Sequence, residues 1–342
     1  MSTANIKKKW KDHLLRSGVP LEYEVARVLA EQELSVYADF CFLHRDPFGA
    51  TEWSVDIQSD WDCLSSDHNF SLHLLLECKY RSPEKLIIFF NDPNSLVSPA
   101  VMGGTVNCID EFAPFKLSTE AFSNLEQSYE FVYKGIELHG GGAVETDLRH
   151  GINQLRYATP AYLCDWFDFL IGGHPEDLAG IMFSKILVTN APMKILENGI
   201  DIEAIRNADD IADISREVDT VILFSDYGPA YRHHFQSIFE EDLDSRIQGA
   251  KKTSKDLENI GKKLDRFNNP REFISNLAAG AKFEIRPLST QFFITTLHAL
   301  PNLIQEIKAA CLDSYESRVI PKSTKNKRKR KTARRGNRQR KS

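Results

Sequence analysis

A glutamate and a lysine two residues apart close an otherwise apolar stretch, Ser71-Leu-His-Leu-Leu-Leu-Glu77-Cys78-Lys79-Tyr80. Its length and composition predict a buried strand. Side chains at i and i+2 of a strand share a face, so Glu77 and Lys79 project together while Cys78 and Tyr80 point the other way. Charge at the end of a core strand is costly unless a partner or a metal takes it up. Asp56, in Trp53-Ser-Val-Asp56-Ile57, ends a second short strand with 20 residues between it and Glu77. Two carboxylates and a lysine brought together would make a divalent-metal site with a built-in cation. Asp56 and Glu77 would hold Mg²⁺, or Mn²⁺ in its place, because such ions take a few carboxylates and complete their shell with water and phosphate oxygens. The Cys78 backbone carbonyl would be a further oxygen ligand. Lys79 would orient or deprotonate a water and stabilise a pentavalent phosphate, the needs of phosphodiester hydrolysis.

Elements must position these groups. Residues 19–32 read as a helix with Pro20 in its first turn and Leu21, Val25, Val28 and Leu29 at helical spacing. At about 100° per residue, Glu22 falls at the rim of that apolar arc and can reach towards an active centre. Strand-like segments follow at 34–43, 52–58, 72–80 and 86–90, joined by short breaker-rich turns that predict a β-meander. From 91 to about 144 the pattern weakens, with Pro93, Pro99, Gly103-Gly104 and Gly140-Gly141-Gly142, and reads as an insertion near the site. Residues 145–158 read as a helix ending at Pro160. Apolar runs at 185–189 and 220–225 suit strands inside a covered sheet. Residues 241–265 look like exposed helix, and 291–310 like a buried helix or helix pair broken near Pro301.

The order helix, three strands, helix, strand, together with Asp56, Glu77-Cys78-Lys79 and Leu21-Glu22, resembles the PD-(D/E)xK, or restriction-endonuclease-like, nuclease superfamily. The resemblance covers about residues 15–90 well and 145–227 in strand order; Asp56 departs from the pattern in lacking a preceding proline. It implies an α/β fold with an αβββαβ core, a mixed sheet flanked by helices, and metal-dependent cleavage of nucleic acid, DNA by the family's habit. It also implies catalytic roles for Glu22, Asp56, Glu77 and Lys79, and sets Gln154 near the site, where some members place a glutamine. The domain division expected is a nuclease-like domain over 1–240 with its insertion at 91–144, a helical extension over 241–320 packed on the core, and a basic tail over 321–342.

That tail holds 12 Lys and Arg and no acid, whereas the whole chain of 342 residues carries −5; residues 1–320 therefore hold 31 basic and 48 acidic residues, a net −17. Such a cationic, core-less segment is expected to be disordered. It would bind phosphates without sequence preference through Lys327, Arg328, Lys329, Arg330, Lys331, Arg334 and Arg335. Six scattered cysteines without a C-x-x-C pair read as reduced thiols. No apolar run is long enough to span a membrane. These features suit a cytoplasmic protein, or a nuclear one in a eukaryote, and a homodimer is compatible with them. No P-loop or G-x-S-x-G elbow is present. His233-His234 reads as a surface or capping pair, and His150 sits on the predicted helix facing the site. A catalytically inactive nucleic-acid-binding protein of the same fold, and a protein–protein interaction factor, stay open as alternatives.

Overall fold

The computed structural model describes residues 3–46, 49–64, 69–82, 84–92, 104–113, 115–172, 179–244 and 270–320. Helices α1 (Thr3–Arg16) and α2 (Val19–Glu31) lead into strands β1 (Ser35–Asp46), β2 (Gly49–Leu64), β3 (Asn69–Lys79) and β4 (Leu86–Asn91). Next come β5 (Val106–Ile109), α3 (Glu120–Glu126), β6 (Glu130–His139), β7 (Gly142–Val144) and the long helix α4 (Thr146–Gly172). The rest comprises β8 (Gly180–Thr189), β9 (Met193–Leu196), α5 (Ile202–Asn207), β10 (Ser215–Glu217), β11 (Thr220–Phe224) and α6 (Pro229–Ile238). Helices α7 (Pro270–Ala278) and α8 (Lys282–Thr290), strand β12 (Gln291–Thr296) and helix α9 (Leu300–Glu316) complete the described chain.

All strands among the described residues join one mixed sheet in the order β1-β2-β3-β8-β12-β11-β6-β4-β9-β10, with β5 attached to β8 and β7 to β6. β1, β2 and β3 form an antiparallel meander. β8 returns parallel to β3 after the α4 crossover, as a parallel pair requires. The continuous apolar run of β3 is explained by cover on both faces. On one face α4, α6, α7 and α8 bury Leu148, Ile152, Leu155, Phe235, Ile274 and Ile285 against Leu75 and Leu187. On the other, α2, α3 and α9 bury Leu21, Val25, Phe122, Leu303 and Ile307 against Leu72, Leu74, Leu76 and Ile186. The chain is thus α/β, a large mixed sheet flanked by helices.

Several expectations need correction. The 91–144 region is more than an insertion: it supplies β5, and its β6 stands inside the sheet between β11 and β4. β4 does not extend the meander but pairs with β6 and β9. Residues 291–296 are not helical; they form β12, at the middle of the sheet between β8 and β11. Residues 270–320 are therefore integral to the core and do not form a separate helical extension. Pro301 does not break a helix but occupies the first turn of α9, where a missing N–H costs nothing. α4 runs through Pro160 to Gly172. An internal proline costs about 3 kcal/mol, but Ala158, Tyr162, Leu163 and Phe167 beside it are all buried in the core, and that burial outweighs it. The basic tail, with Lys327 to Arg335, and residues 245–269 lie outside the described residues.

Candidate active site

The meander forks. The β2–β3 ladder runs from Leu64↔Asn69 to Ile57↔Leu76 and stops there. Beyond it β2 stays bonded to β1 alone, while Glu77, Cys78 and Lys79 continue on β8. Asp56 stands at this divergence. Continued pairing would have given the Cys78 N–H a main-chain acceptor on β2. Instead it donates to Asp56 Oδ2 at 2.7 Å, so a side chain satisfies the group that the fork leaves over.

The pleat also resets here. Val55 and Ile57 should share a face, yet Val55 (0% exposed) belongs to the α4-side core and Ile57 (2%) to the α2-side core. The residue across the strand pair explains the switch. Ala38 pairs with Ile57 and Phe40 with Val55, and between them Asp39 has φ 51°, a left-handed conformation that is uncommon outside glycine and best tolerated by Asn and Asp. Asp39 thus faces Asp56 across a kink in both strands.

Glu77 and Lys79 lie on the α4 face of β3, as their spacing predicts, and Cys78 and Tyr80 face the opposite core. Glu77 is wholly buried. Its Oε1 accepts from Lys79 Nζ at 2.5 Å, while its Oε2 has no hydrogen-bond partner among the described residues. Lys79 Nζ donates also to Gln154 Oε1 at 3.0 Å, and Gln154 Nε2 donates to the Ser54 carbonyl at 3.1 Å. Gln154 therefore ties α4 to Lys79 and to the β2 arm at once. Gly151, one turn earlier on α4, makes the approach fit: a Cβ there would lie 2.8 Å from Leu187 Cδ1 and 2.9 Å from Lys79 Cε. Glu22, half-buried on α2, completes the group. The α1–α2 turn comes close to it and leaves little room for a side chain at Gly18, where a Cβ would lie 3.1 Å from Glu22 Oε1.

The acids share a reluctance to ionise. Burial, then Asp56, raises the Glu77 carboxyl to about 8 despite the opposing pull of Lys79. Burial likewise raises Asp56, against its Cys78 hydrogen bond and Lys79 and with Asp39 adding to the rise. Glu22 is raised by burial, then by Asp56 and Asp39. A divalent cation would relieve this arrangement: it would favour the ionised acids and give Glu77 Oε2 the partner it lacks. Among the described residues no three His, Cys, Asp or Glu side chains form a preformed cage. Mg²⁺ needs none, because it is held by one or two carboxylates with waters and phosphates completing the shell. Asp56, Glu77 and the backbone of Cys78 fit that demand.

Glu22, Asp56, Glu77, Lys79 and Gln154 thus come together at the fork. His150 is exposed on α4, its ring 6.0 Å from Trp53. His234 is not a surface residue: it is buried, accepts from Arg45 N at Nδ1 and donates from Nε2 to the Tyr157 carbonyl. Burial lowers it to about 4, which fixes it as a neutral clasp between β1 and α4. Sequence reasoning missed Asp39 and Gly151. An acid interrupting an apolar strand was the visible signal for Asp39; nothing local marks Gly151. No family model matches the chain, and neither curated proteins nor solved structures contain a significant match to it.

Proposed function

We propose that the chain is a Mg²⁺-dependent nuclease whose centre is the fork of β2 and β3, with DNA as its substrate. The observation that carries this reading is Glu77: a fully buried carboxylate with one oxygen on Lys79 and the other without a partner among the described residues, beside Asp56. The resemblance to the PD-(D/E)xK superfamily in Asp56, Glu77-Cys78-Lys79 and Glu22 supports it, as does the succession α2, β1, β2, β3, α4, β8, although β4, β5, α3, β6 and β7 are interposed between β3 and α4.

Asp56, Glu77 and the Cys78 carbonyl would hold the metal. Bound there, Mg²⁺ supplies charge stabilisation at the scissile phosphate and acidifies a water. Lys79, held by Glu77 and Gln154, keeps its Nζ at the mouth of the fork, where it aligns the attacking water and neutralises charge building on the phosphate oxygens. Glu22 and Asp39 hold water on the open side. In the step itself the water oxygen bonds to phosphorus and loses a proton to solvent, the P–O bond to the leaving oxygen breaks, and that oxygen takes up a proton from solvent to become the free hydroxyl.

The test is cleavage of plasmid, linear, single-stranded and branched DNA and of RNA, with Mg²⁺, Mn²⁺ or a chelator. Activity should require the metal and vanish in Asp56→Ala and Lys79→Ala, both still folded. Undiminished cleavage in those two purified variants would remove the assignment. Binding without cleavage in any metal would favour the inactive nucleic-acid-binding alternative.

A further inference from the structure

Helix α1 is unusual for a helix of 14 residues. Every described side chain on it, from Lys9 to Arg16, is exposed. Isolated helices of that length are marginal in water, and the described half of this one, from Lys9 to Arg16, presents its side chains to solvent. Trp10 (51% exposed) and Leu14 (49%) stand one turn apart on one stripe. Around them stand Lys9, Lys11 and Arg16, with Asp12 the one acid among the described side chains of the helix. Lys11 Nζ lies 5.7 Å from the Trp10 ring centre.

The position of α1 gives this surface a direction. Its C-terminal end runs into Ser17 and Gly18, and Gly18 abuts the Glu22 carboxylate. α1 thus ends at the edge of the fork, where Gly18 meets Glu22. Tyr23, next to Glu22, is 71% exposed.

Electrostatics makes such an element useful. Residues 1–320 carry a net −17 and the fork itself is acidic, so a polyanion approaching the centre is repelled until it meets a local cation. We propose that α1 is the lead-in for a single nucleic-acid strand, with Lys9, Lys11 and Arg16 on its phosphates and a base stacked on Trp10. The inference rests on the nuclease reading for its substrate class. Clustered cations supply salt-dependent affinity, and an aromatic face stacks any base.

The experiment uses full-length protein carrying Asp56→Asn and a fluorescein-labelled 20-mer oligothymidylate, followed by anisotropy across a salt series. Relative to that parent, Trp10→Ala should weaken binding about tenfold with little change in salt slope, the size expected for one lost stacking contact. Lys9→Glu with Lys11→Glu should weaken it more and flatten the slope. Oligonucleotide should quench the fluorescence that Trp10→Phe removes. With Asp56 restored, the loss should fall on KM rather than kcat. Because α1 buries no described side chain, unchanged melting should accompany each variant.

Affinities within twofold of the parent would overturn the inference, and if cleavage by the native chain persisted, the nuclease reading would survive alone. Conversely, α1-dependent binding without metal-dependent cleavage would sink the nuclease reading and leave the lead-in standing. Variants that lose binding to phosphatidylserine vesicles, or lose a dimer in sedimentation, while keeping oligonucleotide affinity would assign the helix to a membrane surface or a second copy and overturn the proposal.

Discussion

Glu77 carries a testable conflict. Its folded value of about 8 lies above the ordinary glutamate value of 4.5, so the folded chain holds a proton that the unfolded chain has released. Between those two values folded stability falls as pH rises, and above pH 8 the loss is complete; the span is on the order of a few kcal/mol. Glu77→Gln removes the titration while keeping shape and the Lys79 contact. Its melting temperature should match wild type at pH 5 and exceed it by a few degrees at pH 8, with cleavage abolished. Mg²⁺ should raise the wild-type melting temperature at pH 8 and leave Glu77→Gln unmoved. Parallel melting curves across pH would show that Glu77 is not the protonated acid. Asp39 makes a complementary case, because its φ of 51° separates backbone from charge. Asn tolerates that conformation, so Asp39→Asn should fold normally yet need several-fold more Mg²⁺ for half-maximal cleavage. Asp39→Val should instead destabilise by about 1–3 kcal/mol in denaturant, the cost of forcing a β-branched residue there.

At the level of elements, α4 is the part whose position the chemistry depends on. Gly151→Ala raises helix propensity by about 1 kcal/mol, but its Cβ would sit 2.9 Å from Lys79 Cε and 2.8 Å from Leu187 Cδ1. Either α4 retreats or Lys79 leaves Gln154. Cleavage should therefore drop at least tenfold while far-UV circular dichroism is retained; full activity would mean that the Lys79 position is not critical. This contact also shows where sequence reading stops. The facing of Glu77 and Lys79 was legible because it follows from a period of two, and the rim position of Glu22 from a period of 3.6. The approach of α4 to β3 depends on a glycine 72 residues beyond Lys79, and no local period encodes it. β12 was misread for a related reason: Gln-Phe-Phe-Ile-Thr-Thr is six residues with its three apolar ones in a row, too short for periodicity to tell strand from helix. Asp39 broke the alternation of β1, which periodicity registers only as noise. Because β12 is central, Phe293→Ala should cost about 3–5 kcal/mol in urea denaturation, a loss that a peripheral helix would not show.

For the whole molecule the governing quantity is charge placement. The net −17 of residues 1–320 and the 12 cations of residues 321–342 act against each other towards any polyanion. At physiological salt the Debye length is about 8 Å, so the tail helps only where it touches phosphate, and each such contact adds about −0.9 to the slope of log affinity against log salt. Removing residues 321–342 should leave the melting temperature unchanged, because a cationic segment with few apolar residues has little to bury. It should flatten the salt slope by several units and weaken binding at 150 mM salt by at least tenfold. Turnover at low salt, where long-range repulsion is offset by excess substrate, should persist, because Asp56, Glu77 and Lys79 lie far along the chain from the deletion. Full-length and truncated proteins with equal salt slopes would remove the tail from binding. A truncated protein that is folded but inactive at every salt would instead place part of the tail in the centre itself.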